Sequence, residues 1–208
     1  MVFILSSCAS YSSMNEKEWL RDQVNTNEFS KESISKHKAI FSGSTKNEYS
    51  NIPENVVNDI TLDFLNMLQT KYSKNNIIYN PDGLEKQSVA LYNISYEILN
   101  NTVNLKNHQS ARTECYMSSR SVSVRLDVEN IESKTLVWSG IIDKELESSN
   151  CSDSSELESE TLGGAVIEAF VASIAEGIVD SATGTYKEPP SVFKVASKAI
   201  LGFYRTMP

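Results

Sequence analysis

The chain is poor in the residues that usually carry chemistry: 208 residues hold two histidines, three cysteines, five prolines and eight glycines. It has no run of about 20 apolar residues, so no membrane-spanning helix is expected. There is no Gly-x-Ser-x-Gly, no Gly-rich phosphate loop and no His-Glu-x-x-His. Ser, His and acid do not fall at recognisable triad positions, which leaves a hydrolase with a dispersed site as the remaining catalytic reading. No enzyme is expected, no cofactor is implied, and no small-molecule substrate is evident. His37 and His108 have no ligand-like neighbours, and Cys115 and Cys151 are too far apart in sequence for a metal-binding motif, so no metal site is expected. Positive charge is also scarce. Nineteen Lys and Arg stand against 27 Asp and Glu, a net charge of −8, which argues against nucleic acid as a partner because phosphate binding needs clustered cations.

What the chain does have is a hairpin. Val122, Val124, Leu126 and Val128 alternate with Ser121, Ser123, Arg125 and Asp127, one apolar and one wet face of a strand. Glu129 to Lys134 supply a polar turn, and the returning strand puts Leu136, Trp138, Gly140 and Ile142 on one face with Val137, Ser139 and Ile141 on the other. A strand apolar on both faces predicts a central position, and Trp138 reads as core, since aromatics mostly serve burial.

Around the hairpin the pattern is mixed. His37 to Phe41, Ile77 to Tyr79 and Val89 to Leu99 read as strands, the last alternating Ala90, Tyr92, Ile94, Tyr96 and Ile98 against Asn93, Ser95 and Glu97. Pro53 and Glu54 open a helix whose apolar stripe is Val57, Ile60, Phe64, Met67 and Leu68. Leu162 to Ala182 predicts a second helix, with a narrow acidic stripe at Glu168, Glu176 and Asp180, and Ser191 starts a third. Asn100 to Ser119 and Glu147 to Glu160 read as polar connections. The expected fold is α/β (α+β): one domain with a mixed or largely antiparallel sheet of about four to five strands, a long hairpin and three packed helices.

At the start, Met1 to Ser10 is an apolar run ending in Leu5-Ser6-Ser7-Cys8. This resembles the lipobox of bacterial lipoproteins, with Leu at −3 and small residues before the modified Cys, although no Lys or Arg precedes the run. The resemblance implies diacylglycerol on the Cys8 sulfur, cleavage before it and acylation of the new amino group, several chains that together hold a bilayer firmly. Ala9 rather than Asp follows, which by analogy with enteric lipoproteins points to the outer membrane. The competing reading is an N-terminal strand with Cys8 buried. Residues 1–8 are thus expected as a signal remnant with the lipid-bearing Cys, 9–36 as a polar tether with a short helix near Glu16 to Val24, and 37–208 as the folded domain. With the hairpin turning near 131 or 132, position 115 falls opposite about 148 or 149. Cys115 and Cys151 therefore sit within a few residues of register, compatible with a disulfide in an oxidising periplasm.

The order of lipobox, tether, strand, helix, strands and a hairpin carrying Thr135-Leu136-Val137-Trp138-Ser139-Gly140 resembles bacterial envelope lipoproteins related to CsgG, LpoB and the N-terminal domain of TolB. The likeness covers about residues 37 to 205. It implies a compact domain on the periplasmic side of the outer membrane, working by contact with an envelope protein partner or by self-association in envelope assembly or secretion. Pore formation is not implied, because Arg125 and Asp127 would be costly in lipid.

Overall fold

The computed structural model describes residues 14–44, 52–81, 90–109, 113–153 and 188–208. These form β1 (Met14–Asn25), α1 (Lys31–Lys36), β2 (Lys38–Ser44), α2 (Glu54–Tyr72), β3 (Ile77–Tyr79), β4 (Ala90–Gln109), β5 (Thr113–Asn130), β6 (Thr135–Asp153) and α3 (Val192–Thr206). The strands make one six-stranded sheet in the order β1-β6-β5-β4-β2-β3. β2 runs parallel to both β3 and β4. β5 and β6 are joined by the turn Ile131–Lys134, where the Asn130 side chain accepts from the N–H groups of Glu132 and Ser133 at 2.9 and 3.2 Å, and Lys134 takes a positive φ of 58°. Contacts Lys17–Glu145, Arg21–Asp143 and Thr26–Val137 run forward along β1 and backward along β6, so this outer strand is antiparallel to its neighbour.

By its internal contacts the chain divides into two compact units. One comprises Met1–Glu16, Val103–Arg120 and Leu146–Pro190, the other Lys17–Thr102, Ser121–Glu145 and Ser191–Pro208, so β1, β4, β5 and β6 contribute residues to both. In the first, the described residues include the Cys115–Cys151 disulfide, with Cα atoms 4.1 Å apart, buried Ser118, Ser119, Ser148 and Ser149, and Arg120, whose Nε donates to the Pro190 carbonyl at 2.6 Å.

The second unit holds the helices and a core on one face of the sheet. α2 buries Ile60, Phe64, Met67 and Leu68, and α3 buries Val195, Ala199, Ile200 and Phe203, against Phe41 of β2, Ile94 and Tyr96 of β4, Val122, Val124, Leu126 and Val128 of β5 and Trp138 and Ile142 of β6. Rings join the layers. Phe64 stacks on Tyr96 with centroids 4.4 Å apart, and Phe203 lies 5.9 Å from Phe64 and 6.3 Å from Trp138. Burial of a side chain of this size contributes about 1.5–3 kcal/mol, so these aromatics set which face the helices cover. Trp138 is core, and its strand lies between two others, as the two-sided apolar pattern predicts. Ser191 caps α3 by accepting from the Lys194 N–H.

Several boundaries differ from the sequence reading. The segment 9–36 is not a tether from Met14 onward. The stretch expected as a short helix near Glu16 to Val24 is the edge strand β1, Phe29 packs edge-on against Tyr72 and Tyr92 at 5.8 and 5.5 Å, and Ile34 of α1 is fully buried. The partners that hold this segment lie on α2, β4 and β6, further along the chain, where no local pattern reveals them. The sheet has six strands rather than four to five, and it mixes parallel and antiparallel neighbours. Asn100 to Ser119 is not a connection, since β4 continues to Gln109 and β5 begins at Thr113, and β6 extends to Asp153 into the expected loop. In these stretches strand continues without an apolar face, so alternation gives no signal. Register also shifts: the pairs Asp127–Ser139 and Ser123–Asp143, counted along the hairpin, set 115 opposite 151 rather than 148 or 149. Cys8, the signal remnant 1–8 and the helix expected over 162–182 lie outside the described residues.

Candidate functional site

The site is built on the face of the second unit's sheet that the helices leave. On β6 the even-numbered residues Trp138 and Ile142 meet α3, so the odd-numbered Val137, Ser139, Ile141, Asp143 and Glu145 point the other way. Hydrogen bonds match Asp143 to Ser123 and Ser139 to Asp127 on β5, and ion pairs match Glu145 to Lys17 and Asp143 to Arg21 on β1. Val137 and Ile141 are buried among these polar groups.

The polar groups form a ladder across four strands. Arg21 donates from Nε to Asp143 Oδ2 at 2.6 Å and from Nη2 to Oδ1 at 3.4 Å. Ser123 Oγ donates to the same Oδ1 at 2.5 Å. Four residues further along β5, Ser139 Oγ donates to Asp127 Oδ1 at 2.6 Å, and Arg125 Nε stands 3.2 Å from Asp127 Oδ2 while its Nη2 meets the Glu97 carboxylate of β4. Lys17 reaches Glu145 at 3.6 Å. Burial pushes the Asp143 carboxyl up, but the hydrogen bonds from Arg21 and Ser123 and the Arg21 charge outweigh it, and the group is held below its ordinary value. Arg125 Nε, buried beside Asp127, makes no hydrogen bond of its own among the described residues, while the bonds to Asp143 and Asp127 hold Arg21, Ser123 and Ser139 in place. On the same face of β1, between Lys17 and Arg21, Trp19 is 51% exposed.

Where β1 meets α3, the opposite face carries a second cluster. Lys144, with its side chain 1% exposed, donates from Nζ to Glu18 Oε2 at 2.6 Å, and Arg205 Nη1 lies 3.7 Å from Glu18 Oε1. Leu20 runs along Gly140, where a Cβ would lie 3.4 Å from Leu20 Cδ1. Trp19, Leu20 and Val24 leave much of their surface exposed along this edge strand.

Neither cluster sets a nucleophile against a base, and what the ladder offers is an ion-paired surface with an exposed aromatic and arginine. Those two residue types are enriched at protein interfaces. Among the described residues no group of three or more His, Cys, Asp or Glu could hold a metal ion, and no helix is long and apolar enough to cross a membrane.

Of the residues singled out from sequence, Cys115 and Cys151 are brought together as the disulfide. His37 caps α1 at its C-terminal end, and His108 is exposed on β4 rather than in a loop. Tyr92 and Tyr96 are packing residues, 2% and 1% exposed. Sequence reasoning passed over Glu18, Arg21, Asp143 and Lys144. One signal was there: Lys144 continues the register of Trp138, Gly140 and Ile142, and a charge at a core position requires a partner.

No family model and no curated protein matches the chain. Among solved structures it is similar to PelC of Paraburkholderia phytofirmans, solved as a dodecamer, at 11% identity over 83% of this chain and 100% of that one, with a TM-score of 0.39. It is also similar to the lipoprotein GNA1162 of Neisseria meningitidis, at 12% identity over 67% and 99% of the two chains with a TM-score of 0.30. The protein CT253 of Chlamydia trachomatis matches at 12% identity over 51% of this chain and 71% of its own, with a TM-score of 0.31.

Proposed function

We propose that the chain is a lipid-anchored protein of the outer membrane, facing the periplasm, whose domain acts without catalysis by contact with an envelope protein. The observation that carries the reading is the ladder face: Trp19 stands half-exposed beside an Arg21 that Asp143 already holds in place. A preorganised aromatic–arginine pair lowers the ordering cost of association, and interface energy concentrates in such residues. The lipobox-like Cys8 supports the anchor, and the disulfide suits an oxidising compartment.

The test has two arms. Palmitate labelling and membrane fractionation of the full-length chain beside Cys8→Ala should show label and membrane association lost with the sulfur; label on neither rejects the anchor and the location. In the second arm, crosslinked envelope partners are recovered with the parent chain and with Trp19→Ala. Equal recovery of every partner rejects the ladder face as the contact.

A second reading, self-association into a structural component of an envelope complex, is favoured by β1. It is a long edge strand with Trp19, Leu20 and Val24 exposed, and unpaired strand edges template pairing with another chain. Light scattering of the detergent-solubilised protein that finds only monomer rejects it.

A further inference from the structure

α3 is amphipathic in an unusual sense, because its outward arc is itself mixed. Val195, Ala196, Ala199, Ile200, Gly202 and Phe203 face the core. At 3.6 residues per turn, the remaining arc of about 140° runs in angular order through Phe193, Tyr204, Ser197, Leu201, Lys194, Arg205 and Lys198. Phe193, Leu201 and Tyr204 are exposed to 39%, 49% and 42%, the apolar edge of that arc. The other edge is cationic, and the helix from Val192 to Thr206 contains no Asp or Glu, in a chain of net charge −8. Lys71 of α2 adds a further cation, 5.2 Å from the Tyr204 ring centroid and donating to the Tyr204 carbonyl at 2.6 Å. Glu18 lies 3.7 Å from Arg205 at the cationic edge.

We propose that this outward arc of α3 is a contact surface for an anionic lipid bilayer. Interleaved cations and aromatic or aliphatic side chains on one helix face match the two layers of a bilayer surface, lipid phosphate above and the headgroup–acyl boundary beneath. Tyr and Phe place an apolar body at that boundary, and the long Lys and Arg stems reach back to the phosphates. Charge decides between this and a second copy of the chain: an isologous α3–α3 contact would gather two sets of Lys194, Lys198 and Arg205 into one interface, with no acid on either helix to offset them. The proposal rests on the reading of the chain as lipid-anchored, because a tethered domain needs only weak additional contacts to lie down on its own membrane.

The experiment takes the full chain as Cys8→Ala, which removes the anchor, and measures co-sedimentation with phosphatidylcholine vesicles with and without phosphatidylglycerol. Binding is expected only with phosphatidylglycerol, to weaken as salt rises, and to fall by at least about tenfold in Lys194→Glu/Lys198→Glu and in Phe193→Ser/Leu201→Ser. Unchanged far-ultraviolet circular dichroism and melting confirm that these exposed substitutions leave the fold intact. Equal binding to both vesicle types, binding to neither, or binding untouched by both variants overturns the proposal. A loss of oligomer mass in the same variants without vesicles also overturns it, and makes the arc a protein interface. Palmitate labelling at Cys8 is independent of every arm, so failure here and failure of the anchor are separable.

Discussion

The buried Lys144 ammonium of β6 is held by Glu18 of the edge strand β1 at 2.6 Å, and the two partners differ sharply in exposure, 1% against 26% of their side-chain surface. Removing one partner of a buried pair costs about 3–5 kcal/mol when the remaining charge stays out of water. The asymmetry therefore predicts an order. Glu18→Gln takes the carboxylate from a lysine that cannot reach solvent and should cost about 3 kcal/mol. Lys144→Met leaves a glutamate that is partly wet and still close to Arg205, and should cost about 1 kcal/mol. Urea unfolding of both variants and the double variant decides the point, and a larger loss for Lys144→Met would show that β1 is held by other means.

Gly202 lets α3 approach this pair. A Cβ there would sit 2.7 Å from Ile142 Cδ1 and 3.1 Å from Glu18 Oε1. Gly202→Ala gains about 1 kcal/mol of helix propensity, but overpacking against a fully buried Ile142 costs about 1–3 kcal/mol. Net destabilisation is expected. Ile142→Val removes the offending methyl, so the double variant should be more stable than the sum of the two single effects. Strict additivity in thermal unfolding would mean that α3 simply shifts.

These two relationships show where the sequence was legible. Alternation along Val122 to Val128 and the stripe from Ile60 to Leu68 report a buried face, and both elements appear where the pattern puts them. The sequence pattern puts β3 at its observed residues Ile77–Tyr79 and the start of the last helix at Ser191, which the structure shows as the N-cap of α3. β1 was not legible as strand, because Lys17-Glu18-Trp19-Leu20-Arg21-Asp22 alternates no apolar face. Its conformation is set by Glu145, Lys144 and Asp143 of β6, residues more than a hundred positions away. Asp22 takes a positive φ of 50° in this strand, an irregularity that period counting does not foresee. The ladder face was half legible: the wet side of β5 was clear, but the pairing of Arg125 with Glu97 of β4 and of Asp143 with Arg21 of β1 depends on strand order, which the chain does not spell out locally.

Asp143 gives the ladder a pH signature. Its folded pKa lies below the ordinary 3.8, through the balance of burial against hydrogen bonds from Arg21 and Ser123. A depressed carboxylate contributes stability that is fully present above its unfolded pKa and is lost as pH falls through the folded value. Stability should therefore decline below about pH 4, and Asp143→Asn should flatten that limb while lowering stability at neutral pH. Because the carboxylate is partly exposed, the neutral-pH loss should be modest, about 1 kcal/mol. An unchanged acid limb in Asp143→Asn, followed by denaturant midpoints from pH 3 to 7, would assign it to other groups.

The Cys115–Cys151 bridge closes a loop between residues 36 apart, for which the chain-entropy relation gives about 4 kcal/mol. β5 and β6 are already joined by the Ile131–Lys134 turn, so residual hairpin structure in the unfolded chain should reduce the measured value below that figure. In a Cys8→Ala background, thiol titration of the unreduced, unfolded protein should count no free sulfur, and reduction should release both. Two thiols without reductant would show that the bridge does not form. Where it does form, Cys115→Ser/Cys151→Ser should lower the urea midpoint. Hydrogen exchange should also rise more steeply over 113–120 and 146–153 than over 121–130, since the bridged stretches lie outside the unit that holds the aromatic cluster of Phe64, Tyr96, Trp138 and Phe203. A uniform rise would mean that the bridge acts only through global unfolding.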